Sequence, residues 1–200
     1  ETLDLMEGDG HILYSYDLSQ VDGIKNLVTQ IVAEKGKIDG MICAAGIEKS
    51  APIKLLTPAD YESIMRVNTV SAFELVRQAT GIKNMNSPAS VVLISSITSV
   101  IARISTAAYS ASKGALVSGA KVMAAELAKR NIRVNCISPG TILTPLMQNY
   151  LSQLSEDDHK KRISGFPLGL GQTSDISNAC VFLLSDASRW MTGQNLVIDG

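Results

Sequence analysis

The chain has 200 residues, of which 46% are hydrophobic and 18% are charged, and its formal net charge is −1. This length suffices for one domain with a substantial core, and the composition is that of a globular protein rather than a disordered one. The near-neutral charge provides no basic surface for nucleic acid, and no apolar run reaches the roughly 18 residues that a membrane span requires.

Strand-like and helix-like segments alternate from the start of the chain. The apolar pattern of residues 11–16 predicts a first strand, which ends at Asp17. A capping box at residues 19–22 predicts the start of a helix that runs to about Lys35. Residues 38–44 form the next predicted strand.

The second predicted helix has a strong start signal at Thr57. Threonine is a favourable N-cap residue, Pro58 suits the first helical turn, and Asp60 stands at the third helical position. We expect this helix to run to about Thr80. Residues 89–95 follow as a nearly all-apolar strand, which is typical of a strand covered by helices on both faces.

The second half of the chain continues this alternation. The predicted elements are a helix at residues 109–130, a strand at 132–137, a helix at 175–184 and a short strand at 196–198. Such alternation predicts an α/β fold, a Rossmann-like doubly wound parallel sheet in three α/β/α layers. We expect a single domain over residues 1–200, in which the irregular residues 141–166 form a substrate lid.

A tyrosine and a lysine stand four residues apart in the predicted long helix, at Tyr109 and Lys113. Residues i and i+4 lie on one face of a helix, so these two side chains can act together. A free tyrosine has a pKa of about 10, and a nearby ammonium lowers that pKa. The spacing therefore suits an acid/base tyrosine whose pKa is lowered by Lys113, with Ser96 at the end of the preceding strand.

Each of these residues also has an ordinary interpretation. Tyr109 can be a half-exposed aromatic at a helix start, and Lys113 a solvated surface lysine. Ser96 can be a turn residue at a strand end, and Asn68 an ordinary residue on a helix surface. A lone Tyr-x-x-x-Lys pattern is weak evidence, because it occurs by chance in many helices. The order and spacing of the whole set are what favour a catalytic site.

The ordered motifs of this chain are similar to those of the classical short-chain dehydrogenase/reductase family, and in particular to the beta-ketoacyl carrier-protein reductases. The resemblance runs over essentially the whole chain and depends on five motifs in order. They are Asp17-Leu18, Cys43-Ala44-Ala45-Gly46, Asn68, Ser96 with Tyr109 and Lys113, and Ser138-Pro139-Gly140-Thr141-Ile142-Leu143-Thr144. The closing segment from Trp190 to Gly200 also resembles that of the family.

The resemblance implies an oxidoreductase that transfers a hydride between NAD or NADP and a carbonyl compound or secondary alcohol. It implies that Tyr109 is the acid/base, that Ser96 binds the reacting oxygen and that Lys113 binds the nicotinamide ribose. It implies that Asn68 bends its helix locally and holds a water against Lys113.

The resemblance also assigns cofactor contacts. They would come from Asp17, Leu18, Ala44, Gly46, Pro139, Gly140, Ile142 and Thr144, as well as Tyr109 and Lys113. Cys43 and Ala44 replace the two asparagines of the family motif, so the side-chain hydrogen bonds of those asparagines are not expected. No metal is expected, because three separated cysteines and two histidines form no metal-binding pattern.

The sequence does not determine which substrate the protein takes. A small or acyl-linked ketone or alcohol is expected, with sugars, steroids and polyols as alternatives. Arg130 resembles one of the two arginines with which carrier-protein reductases bind their carrier. The resemblance places the second arginine near residues 83–87, and no arginine stands there. A catalytically silent sensor or scaffold with the same fold is the alternative function.

The resemblance suggests a homodimer or homotetramer, assembled through the helices at residues 58–80 and 109–130. Three separated cysteines form no disulfide framework, and they are typical of reduced thiols in a cytoplasmic protein.

The first two strands of the family and its glycine-rich phosphate loop have no counterpart in these residues. No Gly-x-x-x-Gly-x-Gly pattern follows a strand, so the pyrophosphate-binding residues are unassigned. The choice between NAD and NADP is also unassigned, because it depends on charges near the second strand. We therefore expect these residues to be part of a longer protein.

Overall fold

The computed structural model describes residues 6–200, apart from the side chains of Leu146 and residues 159–162. Its four strands form one sheet in chain order, and every neighbouring pair is parallel. The strands are β1 (Ile38–Cys43), β2 (Met85–Ile94), β3 (Ile132–Pro139) and β4 (Asn195–Ile198). The predicted Rossmann-like parallel sheet is confirmed.

Helices cover both faces of this sheet. They are α1 (Ile24–Lys35), α2 (Pro58–Met65), α3 (Ser71–Ala79), α4 (Ala107–Leu127), α5 (Pro145–Ser152), α6 (Glu156–Ile163) and α7 (Thr173–Leu184). α3 and α4 pack on the face that contains Val91 and Leu93, and α7 packs on the face that contains Val92. Successive side chains of a strand point to opposite faces, so residues 89–93 of β2 are buried and mostly apolar because helices cover both sides.

The start of α2 follows the predicted capping box. Thr57 Oγ1 accepts a hydrogen bond from Asp60 N at 3.3 Å, and the Asp60 carboxylate accepts one from Thr57 N at 2.9 Å. The prediction of one unbroken helix to Thr80 is wrong in one respect. A π-helical turn at Arg66–Val70 lies between α2 and α3.

Two predictions near the start of the chain are wrong. Residues 11–16 form no strand, and β1 pairs with β2 alone among the strands that the structure describes. A strand needs a partner for its backbone groups, so an apolar pattern alone does not produce one.

The capping box at residues 19–22 is also absent, because α1 begins at Ile24 with Gly23 as its N-cap. The carboxylate of Asp17 instead accepts hydrogen bonds from Ser19 N at 2.9 Å and Ser19 Oγ at 2.8 Å. An aspartate that binds the backbone two residues later forms a local turn, which competes with the helix start.

The described residues from 141 to 166 contain the two short helices α5 and α6. This is the partly helical segment that the sequence predicts after β3. No helix in the described part of the chain is long and apolar enough to cross a membrane.

Candidate active site

The π-helical turn Arg66–Val70 places Asn68 in the interior, where it is 1% exposed. The Asn68 amide nitrogen donates to Ile47 O and to Ser112 Oγ, each at 2.9 Å, and its amide oxygen accepts from Ile47 N at 2.7 Å. Asn68 thereby connects the segment after β1 to α4. The local departure from α-helix that the resemblance implies at Asn68 is confirmed, and π-turns are frequent at functional sites.

Lys113 projects from α4 and is only 3% exposed. Its Nζ donates a hydrogen bond to Ile94 O at 2.8 Å, and Ser95 Oγ donates to Lys113 O at 2.8 Å. Burial lowers the pKa of Lys113 to about 8, because the charged ammonium is poorly solvated there. Lys113 is therefore an interior cation held at the carboxyl end of β2, not a surface lysine.

Gly46 completes the surroundings of Lys113. A Cβ added at Gly46 would lie 3.2 Å from Lys113 Nζ and 3.3 Å from Asn68 Oδ1. A larger residue at this position would displace the lysine or the amide, so the backbone of Gly46 can approach both groups only because it lacks a side chain.

Ser96 is the second residue after β2 and is the N-cap of a short 3₁₀ helix, Ile97–Ser99. Its Oγ accepts hydrogen bonds from Thr98 N at 3.2 Å and from Thr98 Oγ1 at 3.1 Å. Sequence reasoning identified Ser96 but missed Thr98. The available signal was a second hydroxyl two residues after a strand-end serine, which is the spacing of a local Ser/Thr capping motif.

Tyr109 lies in the first turn of α4, and Lys113 Nζ is 5.8 Å from the centroid of its ring. The pKa of Tyr109 is raised, chiefly by burial, while a hydrogen bond from Ser96 acts in the opposite direction. The prediction that this pKa is lowered by Lys113 is therefore wrong for this arrangement. The ammonium lies over the ring and binds Ile94 O, so burial of the hydroxyl is the larger effect.

The strands β1, β2 and β3 are parallel, so the residues that follow them meet at one edge of the sheet. Ala44, Ser96 and Gly140 occupy these positions, with Pro139 as the last residue of β3. Gly140 N donates a hydrogen bond to Ile198 O at 2.8 Å. The sequence-predicted residues that follow three strands are thus brought together.

The remaining predicted cofactor residues lie at the margins of this edge. Ile142 forms an isolated bridge with Gly171, and the Thr144 side chain caps α5 by accepting from Met147 N at 3.3 Å. Asp17 and Leu18 lie in the turn before α1. This turn is joined to the π-helical turn by a 2.5 Å hydrogen bond from the Arg66 side chain to Ser19 O.

Replacing Gly140 with alanine is expected to destabilise the fold by about 1–3 kcal/mol, because the new side chain overpacks the closing segment. The added Cβ would lie 2.7 Å from Asp199 Cα and 3.0 Å from Asp199 O, which are backbone atoms. Urea unfolding should show a lower midpoint for this variant. Gly114→Ala in α4 is the control, because its added Cβ meets nothing within 4 Å. Equal midpoints for the two variants would contradict the expected clash.

A cavity of about 370 Å³ opens beside Thr98, on the side of the sheet edge that carries Ser96. Its lining includes Ile97, Thr98, Ile101, Arg103, Thr141 and Phe166. A larger cavity of about 700 Å³ lies around Ile132, Arg133 and Trp190, near the start of β3 and so at the opposite edge of the sheet. The smaller cavity is lined by Ile97 and Thr98, the two residues that follow Ser96, and by Gly140 after β3.

The chain matches the family model described as Enoyl-(Acyl carrier protein) reductase over residues 2–200. It is 31% identical over 188 residues to 3-oxoacyl-(acyl-carrier-protein) reductase FabG from Thermotoga maritima. That alignment covers 94% of this chain and 75% of the relative.

Two solved structures are similar in fold. A mutant of 4-hydroxyisoleucine dehydrogenase in complex with NADH and succinate has a TM-score of 0.85 and 38% identity, over 94% of this chain and 77% of that one. ElxO with NADP bound has a TM-score of 0.84 and 26% identity, over 94% of this chain and 76% of that one.

Proposed function

The chain belongs to the short-chain dehydrogenase/reductase family, and we propose that its catalytic residues are Asn68, Ser96, Tyr109 and Lys113. The protein is an oxidoreductase that uses NAD or NADP and acts on a carbonyl compound or secondary alcohol. One observation carries the residue assignment. The buried Lys113 ammonium lies 5.8 Å from the centroid of the Tyr109 ring, and Ser96 is near enough to the Tyr109 hydroxyl to act on its pKa.

The open backbone at the sheet edge fits a nicotinamide cofactor. Gly46 has no side chain to fill the space beside the candidate groups, since an added Cβ would lie 3.2 Å from Lys113 Nζ and 3.3 Å from Asn68 Oδ1. When bound, the cofactor supplies or accepts the hydride.

Further contacts complete the proposed cofactor site. Ala44, Gly46, Tyr109 and Lys113 would hold the ribose side of the cofactor. Pro139, Gly140, Ile142 and Thr144 would hold the carboxamide side, and Asp17 with Leu18 the adenine.

The side chains would donate one proton to the substrate and stabilise the negative charge that develops on its oxygen. In the reduction direction, Tyr109 donates its phenolic proton to the substrate carbonyl oxygen. A tyrosine is protonated at neutral pH even at its ordinary pKa of about 10, so the raised pKa of Tyr109 leaves the proton in place for donation. Ser96 donates a hydrogen bond to the same oxygen and stabilises the negative charge that develops there. Asn68 fixes the segment after β1 and supports a water-linked path for the replacement proton.

The cavity beside Thr98 suits a small substrate. At about 370 Å³ it lies near the lower end of the range of small-molecule sites, and Ile97, Ile101 and Phe166 make it largely apolar. We propose residues 141–166 as its lid within a single domain of residues 1–200. Arg130, whose side chain donates to Thr80 O, lies before the start of β3 and so at the opposite edge of the sheet. This location gives no support for a carrier-bound substrate.

Arg103 favours a substrate with a carboxylate. Its side chain lines the cavity, and among the described residues no carboxylate forms an ion pair with it, although Asp199 lines the same cavity. The pKa of Tyr109 is raised by the negative charge of Glu48 and, to a smaller extent, lowered by the positive charge of Arg103, so both charges lie within electrostatic reach of Tyr109. The similar 4-hydroxyisoleucine dehydrogenase structure contains succinate, a dicarboxylate.

Arg103→Gln is expected to raise KM for a short keto acid about tenfold, because a charge-assisted hydrogen bond is lost. KM for the corresponding primary amide should stay unchanged. Initial rates with both compounds measure this difference, and Arg103→Lys should retain part of the preference for the acid. An equal rise in KM for acid and amide would argue against carboxylate recognition.

An oxidation assay tests the function as a whole. NADH and NADPH are each offered with a panel of ketones, keto acids and aldehydes, and NAD and NADP with the matching alcohols. We expect turnover with at least one pair, and loss of that turnover in a Tyr109→Phe variant. Cofactor binding without any turnover across the panel would instead indicate a silent binding protein.

We also propose a cytoplasmic homodimer or homotetramer. Val70 follows Asn68 in the π-helical turn and is 44% exposed, and Val122 on α4 is 58% exposed, so both helical segments present apolar surface. Burial against a second copy would remove this surface from water. The cysteines Cys43, Cys136 and Cys180 are buried and free, which is compatible with a reducing compartment. Sedimentation analysis tests the assembly, and a monomer at micromolar concentration would exclude it.

A further inference from the structure

We propose that Thr98 is a positioning residue that commits the Ser96 hydroxyl to donating its hydrogen bond. This inference rests on the proposed function, because it concerns the direction in which Ser96 acts at the reacting oxygen. Thr98 itself is 6% exposed, follows Ser96 by two positions and lines the substrate cavity.

The hydrogen bonds that the Ser96 hydroxyl already accepts limit what it can still do. A hydroxyl has one O–H donor and two acceptor lone pairs. Thr98 N donates to Ser96 Oγ at 3.2 Å, and Thr98 Oγ1 donates to the same atom at 3.1 Å. One residue therefore occupies both acceptor positions of Ser96. The O–H of Ser96 is left with one role, which is to donate.

The surrounding backbone keeps this arrangement in place. Ser99 N donates to Ser96 O at 2.9 Å, and Ser99 Oγ donates to the same carbonyl at 2.7 Å. These bonds hold the short 3₁₀ helix that carries Thr98. Ser96 is 8% exposed, so little water is available to compete for its oxygen. The hydroxyl is therefore oriented by the fold before any substrate arrives.

Orientation of this hydroxyl determines where the proton of Tyr109 goes. Without substrate, Ser96 acts to lower the pKa of Tyr109 against the raising effect of burial. With substrate bound, the same O–H would donate to the reacting oxygen and stabilise negative charge there. Without the Thr98 hydroxyl, one lone pair of Ser96 becomes free. Tyr109 could then donate its proton to Ser96, where it is of no use to the substrate.

Thr98→Val removes the hydroxyl, keeps the side-chain shape and leaves the backbone N–H in place. We expect kcat to fall roughly 10- to 100-fold, by analogy with the loss of an oxyanion-stabilising donor, with KM for the cofactor unchanged. The apparent pKa in the pH profile of alcohol oxidation should move upward, because the donor that lowers the pKa of Tyr109 is weakened. Thr98→Ser restores a hydroxyl and should restore both the rate and the profile.

A double-mutant cycle separates positioning from a general structural effect. If Thr98 acts through Ser96, Thr98→Val should have no further effect on kcat in a Ser96→Ala background. If thermal melting shows that Thr98→Val folds poorly, Thr98→Ala is the second variant. It should give the same upward shift of the apparent pKa in the pH profile.

Three results would overturn the inference. The first is a parental rate and pH profile in Thr98→Val. The second is equal impairment of Thr98→Val and Thr98→Ser, which would mean that the methyl group matters rather than the hydroxyl. The third is full additivity with Ser96→Ala. Failure of the proposed function has a different signature: either the parent turns over no compound of the panel, or Tyr109→Phe retains the parental turnover, whatever residue stands at position 98.

Discussion

Replacing Tyr109 with phenylalanine is expected to lower kcat by about 10³-fold or more, while the Kd of the cofactor changes by less than about threefold. The phenol is the group proposed to donate the proton to the reacting oxygen, and phenylalanine has no proton to donate. The aromatic ring, which packs beside Lys113, is retained in the variant. Rates under saturating substrate and cofactor titration by fluorescence would measure the two quantities separately.

Tyr14→Phe is the matched control for this experiment. The Tyr14 hydroxyl donates to Glu34 on α1 at 2.7 Å, so its removal takes away a phenol that has no part in the proposed site. This control should keep the parental kcat. Turnover of Tyr109→Phe within tenfold of the parent would remove Tyr109 from the mechanism, and loss of cofactor binding would assign it a structural role instead.

The predictable part of the fold is the part that depends on burial. Residues 89–95 were assigned as a doubly covered strand from their apolar run, and Val91, Val92 and Leu93 are fully buried between two helical layers. Residues 11–16 have a similar apolar pattern but no partner strand among the described residues. Pattern alone cannot report whether a neighbour is present, and a strand is stable only with one.

The candidate site also has a part that the sequence predicts and a part that depends on tertiary structure. Spacing brings Tyr109 and Lys113 together, because their positions depend on the regular geometry of a single helix. The bonds of Asn68 to Ile47 and Ser112 join three separate elements, so no local pattern reveals them. The direction of the pKa shift at Tyr109 depends on its burial, which is also a tertiary property.

Replacing Lys113 with methionine is expected to change how stability depends on pH. Burial lowers the pKa of Lys113 from 10.5 to about 8, so between these values the unfolded chain binds the proton more strongly than the folded protein does. Unfolding then takes up protons, and the free energy of unfolding of the parent rises as pH rises through this window. Lys113→Met lacks this dependence.

The free energy of unfolding of the parent should therefore rise by about 3 kcal/mol relative to that of Lys113→Met between pH 8 and pH 10.5. Urea titrations of both proteins across this range measure the difference. Burial raises the pKa of the thiols of Cys43 and Cys136 to about 12. These thiols lower stability above pH 9, but they are present in both proteins and largely cancel.

Lys121→Met is the matched control, because Lys121 is an exposed lysine on the same helix. Its stability should follow that of the parent at every pH, and it should keep the parental turnover.

Lys113→Met should also lose turnover by about 10²-fold, with a higher KM for the cofactor. The variant lacks the ammonium that lies beside Tyr109 and would hold the ribose. Identical pH dependence in the two lysine variants would show that Lys113 is solvated in solution. The buried cation, and with it the proposed cofactor contact, would then be excluded.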